Sequence, residues 1–143
     1  MTTKSQRWKK GAILQIDAHG YSCKGQMLEE PEIAFFDPAN PDQILFRLWV
    51  HNSAYKQGRW QKIGEESVSK ELALQVPRFK KDPITGKLSI YVNGNETPAE
   101  LRECVDLECA AAWEPEHVEA RLRDHIENRE NVWVKSMALA NDA

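Results

Sequence analysis

Several places in this 143-residue chain carry residues whose types and spacing could do chemistry. His51 and Ser53 follow a strongly alternating apolar run, and Cys23 lies four residues after His19. Nucleophilic catalysis needs a hydroxyl or thiol beside an imidazole base. Neither pair sits in a strained strand-to-helix elbow, so His51 reads as a strand-end residue with a satisfied hydrogen bond. His117 and His125 share one helical segment, two turns and about 12 Å of rise apart. One ion cannot bridge that span, and the intervening Arg121 repels a cation. No metal, no cofactor and no catalytic activity are therefore expected. Cys23, Cys104 and Cys109 form no C-x-x-C pair, and an odd count fits neither a disulfide framework nor a zinc clip. Cys104 and Cys109 read as small buried apolar residues.

Two charged stretches carry more. Arg78-Phe79-Lys80-Lys81, with Tyr91 on the strand expected to pair with it, interleaves basic and aromatic residues as a single-stranded nucleic-acid platform does. The alternative is an edge strand guarded by lysines, which the acidic chain as a whole favours. The second stretch is the last third. Residues 96–130 hold eleven Asp/Glu and four Arg, a net of −7, whereas residues 1–95 hold ten Asp/Glu and fourteen Lys/Arg, a net of +4. The formal total of −3 thus conceals an acidic surface on a mildly basic body. Such a surface suits a basic protein partner, because it steers encounter and penalises wrong partners. A solvated helix face is the plainer explanation of any one charge run.

These residues must be positioned by elements that the pattern predicts in turn. Ala12 to Ile16 and Tyr21 to Leu28 flank Asp17-Ala18-His19-Gly20, a hairpin signal. Ile33 to Phe36 reads as a buried strand, Asp37 to Asp42 as a loop, and Ile44 to Val50 as a central strand with alternating faces. Trp60 to Ile63 is a further strand. Ser67 to Leu74 favours a short helix capped by Ser67 or Ser69. Arg78 to Asp82 and Lys87 to Val92 flank Pro83-Ile84-Thr85-Gly86, a second hairpin, and Asn93-Gly94-Asn95 is a tight turn. Thr97 is expected to cap a helix with Pro98 at its first position and Glu100 three residues after the cap. Pro115 opens a helix to about Asn128. Its Val118, Leu122 and Ile126 form the apolar stripe, and Val132-Trp133-Val134 is a patch that returns onto the core.

Strands first and helices last predict an α+β fold: a curved, partly barrel-like antiparallel sheet of five to seven strands with a C-terminal helix packed on it. One domain is expected over residues 9–135, with loose tails at 1–8 and 136–143. The 41% apolar content and five Trp are enough for one core. No apolar run is long enough to cross a membrane, and no signal-peptide stretch is present, so a reducing cytoplasm is the expected compartment. A pI near 5.8 does not support a dedicated nucleic-acid binder.

Taken in order, KKGAILQI (9–16), IAFFD (33–37), GRWQKIG (58–64), DPITGKLSIYVNG (82–94) and CAAAWEPEHVEARLRDH (109–125) resemble the immunity protein 26 family of bacterial polymorphic-toxin systems. The likeness spans roughly residues 9–135 and is most specific over Trp113 to Glu119. The brief EEPE (29–32) replaces a loop that usually varies more. The resemblance implies a non-enzymatic inhibitor that neutralises a toxin encoded nearby. Such a partner would be a basic, nuclease-like protein domain, for which an acidic inhibitor mimics the phosphate backbone. The surface expected to meet it is the outer face of helix 115–128. Glu116, Glu119, Asp124 and Glu127 supply charge there, with Trp113 either as the aromatic anchor or as a plug in the sheet.

Overall fold

A computed structural model describes residues 6–139. In chain order the elements are β1 (Ala12–Ala18), β2 (Tyr21–Met27), β3 (Glu32–Asp37), β4 (Asn40–Val50), β5 (Gln61–Glu65), α1 (Lys70–Ala73), β6 (Arg78–Lys81), β7 (Leu88–Val92), β8 (Asn95–Ala99), α2 (Leu101–Cys104), β9 (Glu108–Cys109), β10 (Ala112–Trp113), α3 (Pro115–Ile126) and α4 (Val132–Met137). The class is α+β as the pattern predicts. Where the sequence reads as one domain over 9–135, the contacts group the chain into two compact units. One combines the described residues up to Ala73 with Ala112–Asn131, and the other combines Leu74–Ala111 with the described residues from Val132 onward.

The first unit is built on a six-stranded, curled half-barrel sheet in the order β10-β4-β3-β2-β1-β5, antiparallel except for β10 against β4. The β1–β2 hairpin closes through His19 and Gly20, both at positive φ, with the Gly20 N–H donating to the Asp17 carboxylate at 2.7 Å. That two-residue turn matches strand twist and pairs Ala18 with Tyr21. Register shifts in β1–β5 and β3–β4 increase local twist, which curls the sheet.

Alternation then decides the faces. Leu14, Ile16, Cys23, Met27, Ile33, Phe35, Leu48 and Trp60 are buried on the inner face. Helix α3 lies across it, packed on β1, with Val118 and Leu122 fully buried. Ile126, the third residue of the expected stripe, is half-buried at the helix end. Burying each of the first two contributes about 1.5–3 kcal/mol. The opposite face carries a second apolar cluster of Leu28, Ala34 and Leu72, with Phe36, Ile44 and Val68 packed against it.

Several expectations need correction. Asp37 to Asp42 is not all loop: β4 begins at Asn40, directly after the two-residue turn Pro38-Ala39, because Asp37 pairs with Asn40 and accepts from the Ala39 N–H at 2.8 Å. Residues 6–8 are held rather than loose. The Gln6 amide donates to the carbonyls of Tyr55 (2.9 Å) and Trp60 (2.7 Å), and the Trp8 indole donates to that of Leu28 (2.9 Å). The remaining residues of that tail, 1–5, and residues 140–143 of the other lie outside the described residues.

The second unit has a four-stranded sheet, β8-β7-β6-β9, with β9 parallel to β6. Strand β6 is therefore covered on that side over Arg78 and Phe79, while Lys80 and Lys81 lie beyond the pairing with β9. Its hairpin with β7 is fixed by Asp82, whose carboxylate accepts from the backbone N–H groups of Ile84 (2.8 Å) and Thr85 (3.0 Å). Asn93 and Gly94, both at positive φ, turn the chain into β8. Thr97 and Pro98 therefore lie in a strand, and the helix starts later. The capping box is Glu100 with Glu103, which share the i, i+3 spacing seen at Thr97 and Glu100. In this unit Val132, Trp133 and Val134 form the start of α4 and stay exposed at 66%, 38% and 37%, rather than packing as a core patch.

Candidate partner-binding site

Helix α3, its C-cap Glu127 and the strand before it hold every residue expected to meet a partner. Strand β10 sets Trp113 beside Val50, and the His51 N–H donates to the Trp113 carbonyl at 2.9 Å. The indole is 4% exposed. The Arg121 guanidinium lies 5.1 Å from the Trp113 ring and 4.1 Å from the Phe46 ring, a cation held over two aromatic faces. Trp113 thus sits inside the unit, and Arg121 fixes it there.

Glu119 also faces inward, 8% exposed. Its carboxylate accepts from Arg59 Nε (2.8 Å), Arg59 Nη2 (2.6 Å) and the Trp60 indole N–H (2.9 Å). The two Arg59 bonds form the fork that a guanidinium offers a carboxylate, and they hold the Arg59 pKa above its usual value. Trp60 is fully buried, and its N–H needs an acceptor inside the unit. This triad ties α3 to the turn before β5. An open hollow of about 370 Å³ beside it is lined by Asp17, His19, Gly20, Arg59 and Glu119.

Asp124 is 6% exposed. It accepts from the Asn131 amide at 2.9 Å and from Arg123 Nε at 3.1 Å, while its backbone carbonyl accepts from the Arg129 N–H at 2.7 Å. It closes the helix end rather than presenting charge outward. Glu127 lies at the surface, where it accepts from the Tyr21 hydroxyl at 2.9 Å and pairs with Arg129. The bond to Glu127 raises the Tyr21 pKa. Glu116 is exposed on the first turn, next to exposed Glu114 at the helix cap. Of the four acids expected outside, the structure turns two inward and engages a third.

The other chemistry-bearing residues have local explanations. His51 Nδ1 lies 2.9 Å from Ser53 Oγ and accepts from the Ser53 N–H at 3.2 Å, which caps the 3-10 turn Asn52–Ala54. Cys23 faces the core, and burial raises its thiol from 9.0 to about 11, so it stays protonated at neutral pH. Lys80 lies 4.6 Å above the Tyr91 ring, 3.4 Å from Glu96, and Phe79 is buried. Among the described residues no three His, Cys, Asp or Glu side chains converge where a metal ion could sit, and no helix is long and apolar enough to cross a membrane.

Sequence reasoning missed Arg59, Trp60 and Asn131 as partners of Glu119 and Asp124. For Glu119 a signal existed. It lies three residues before Leu122 and seven before Ile126, on the same helical row as the apolar stripe. No protein-family model, no curated protein and no solved structure matches this chain.

Proposed function

We propose that this chain is a non-catalytic immunity protein that binds and neutralises a cognate, basic, nuclease-like toxin in the cytoplasm of the producing cell. The observation that carries the reading is the outward acidic turn of α3. Glu114 and Glu116 stand exposed on a helix whose other side is pinned by Val118, Leu122 and the Glu119 triad. A charged face held rigidly loses little freedom on association. Its carboxylates raise the encounter rate with a basic partner more than they hold the complex together. The likeness of residues 109–125 to an immunity family points the same way.

The assay is co-expression with the product of the neighbouring open reading frame. Growth rescue and a co-purifying complex are expected. Absence of both growth rescue and a complex with that product refutes the reading. The electrostatic part is checked on Glu114→Lys with Glu116→Lys, both surface changes. Association at low salt is expected to slow by about tenfold, the scale of steering by a few charges.

The alternative is a nucleic-acid module on the strand pair 78–92. It is less favoured because Lys80 already covers one face of the Tyr91 ring and pairs with Glu96. Salt-dependent binding of a single-stranded oligonucleotide that is lost in Lys80→Glu with Lys81→Glu would reverse that preference.

A further inference from the structure

With Trp113 inside the unit, the partner's anchor point has to be sought elsewhere, and the outer face of the six-stranded sheet offers one. Residues 66–72 form a strap across that face, tied at both ends. At the start, the Glu66 N–H donates to the Gly11 carbonyl at 2.9 Å, and the Glu66 carbonyl accepts from the buried Gln26 amide at 2.9 Å. Gly11 has a φ of +93°, and a Cβ there would lie 2.7 Å from the Glu66 carbonyl oxygen, so glycine lets the strap approach. At the far end, the Leu72 carbonyl accepts from Arg47 at 3.2 Å, and Arg47 is ion-paired with Glu32 at 2.8 Å. Those two side chains are only 9% and 11% exposed. Ser69 Oγ accepts from the Leu72 N–H at 3.2 Å and sets the single turn of α1 between them.

Between the ties lies a hollow of about 380 Å³, within the roughly 300–1,000 Å³ of ordinary binding pockets. Ile13, Phe36, Ile44 and Leu72 make its apolar part, and Asp42, Glu66, Glu71 and Lys24 its charged rim. Three carboxylates thus face one ammonium. Among the described residues none of the three carboxylates is in an ion pair.

We propose that this hollow is an anchor pocket for an aromatic or branched apolar side chain of a basic protein partner, flanked in that partner by Lys or Arg. The proposal takes the partner's identity from the immunity reading, whereas the pocket's chemistry stands on its own residues. An apolar side chain seated in a preformed pocket is the usual centre of a tight interface. The acidic rim selects basic flanks and rejects acidic ones. The double tie means that little order has to be created on binding.

The probe is the acetylated, amidated tripeptide Arg-Phe-Lys, titrated into the full ¹⁵N-labelled chain, with Glu-Phe-Glu as its control. Saturable amide shifts centred on Ile13, Phe36, Ile44 and Leu72 are expected with the basic peptide. Binding of the acidic peptide should be about tenfold weaker or worse, the scale of two or three exposed charge pairs reversed in sign. Asp42→Lys with Glu71→Lys should remove the preference, and Ser67→Trp should plug the hollow and abolish the shifts. If the Trp variant misfolds, the rim double variant decides alone. No saturable shift, equal response to both peptides, or shifts mapping elsewhere overturns the pocket and leaves the growth-rescue assay untouched. Rescue that survives a folded Ser67→Trp variant also overturns it while the immunity reading stands. Peptide binding without any rescue keeps the pocket and removes only the toxin.

Discussion

Replacing Glu119 by alanine removes one carboxylate and strands two donors of different standing. The Trp60 indole N–H is fully buried, and a buried donor left without an acceptor costs about 1–3 kcal/mol. The Arg59 side chain is 45% exposed, so water replaces much of what it loses. Its ion pair is therefore worth only about 0.2–1 kcal/mol. Glu119→Ala should cost about 1–4 kcal/mol, with most of it from the indole. Glu119→Gln keeps an amide oxygen for that indole and loses the charge, so it should cost about 1 kcal/mol or less. For a chain of this size each kcal/mol moves the midpoint by roughly 3 °C. Thermal and urea melts of the two variants, with the Trp60 Nε1–H resonance followed by NMR, provide the assay. Equal losses in the two variants would refute the argument that the indole bond dominates. So would a Trp60 resonance that stays in place in Glu119→Ala.

Leu122→Ala removes a fully buried side chain and is expected to cost about 2–5 kcal/mol by urea melt; a loss below 1 kcal/mol would mean α3 is not packed as described. At Gly25 an added Cβ would meet Ile33 Cγ2 at 3.1 Å and both the Ala34 carbonyl oxygen and Ile16 Cδ1 at 3.3 Å. Gly25→Ala should therefore destabilise by about 1–3 kcal/mol through overpacking, measured the same way. Cys23 stays protonated in the folded chain up to about pH 11 but ionises near 9.0 once unfolded. The folded state thus holds the extra proton across that window, and stability falls as pH rises through it. Comparing melts of wild type and Cys23→Ala between pH 8.5 and 11 isolates the slope; parallel profiles would remove it. Neutral-pH alkylation of Cys23 should likewise be slow in the folded chain and fast in urea.

The elements that were legible from sequence are those whose signals are local. The β1–β2 turn follows from Asp17 to Gly20, the β6–β7 hairpin from Pro83 to Gly86, and α3 from Pro115 and the stripe of Val118 and Leu122. The helix expected from Thr97 failed because two local signals competed. The Asn93-Gly94 turn returns the chain against β7, so residues 95–99 gain ladder hydrogen bonds, and the capping pattern is met three residues later at Glu100 and Glu103. At the candidate site the limit is different. Counting charges registers Glu119 and Asp124 as acids, and the apolar row gives Glu119 its direction, but their partners are Arg59, sixty residues earlier, and Asn131, beyond the helix. No local period encodes such pairs. The strap over residues 66–72 was likewise invisible, because its ties run to Gly11, Gln26 and Arg47.

The sixty residues between Arg59 and Glu119 also set an order of events during synthesis. At about 5–20 residues per second, β1–β5 are synthesised roughly 2.5–10 s before α3 begins, fifty residues after Glu65, and β10 arrives only just ahead of the helix. During that interval the inner sheet face, with Leu14, Ile16, Phe35 and Leu48, has no helix over it, and the Trp60 indole has no acceptor. A nascent chain in that state is a half-closed sheet with a sticky face, open to chaperones and to neighbouring copies. Arrival of the acidic helix both seals the sheet and delivers the outward charge. A molecule that carries the charged surface has therefore already covered its own apolar one.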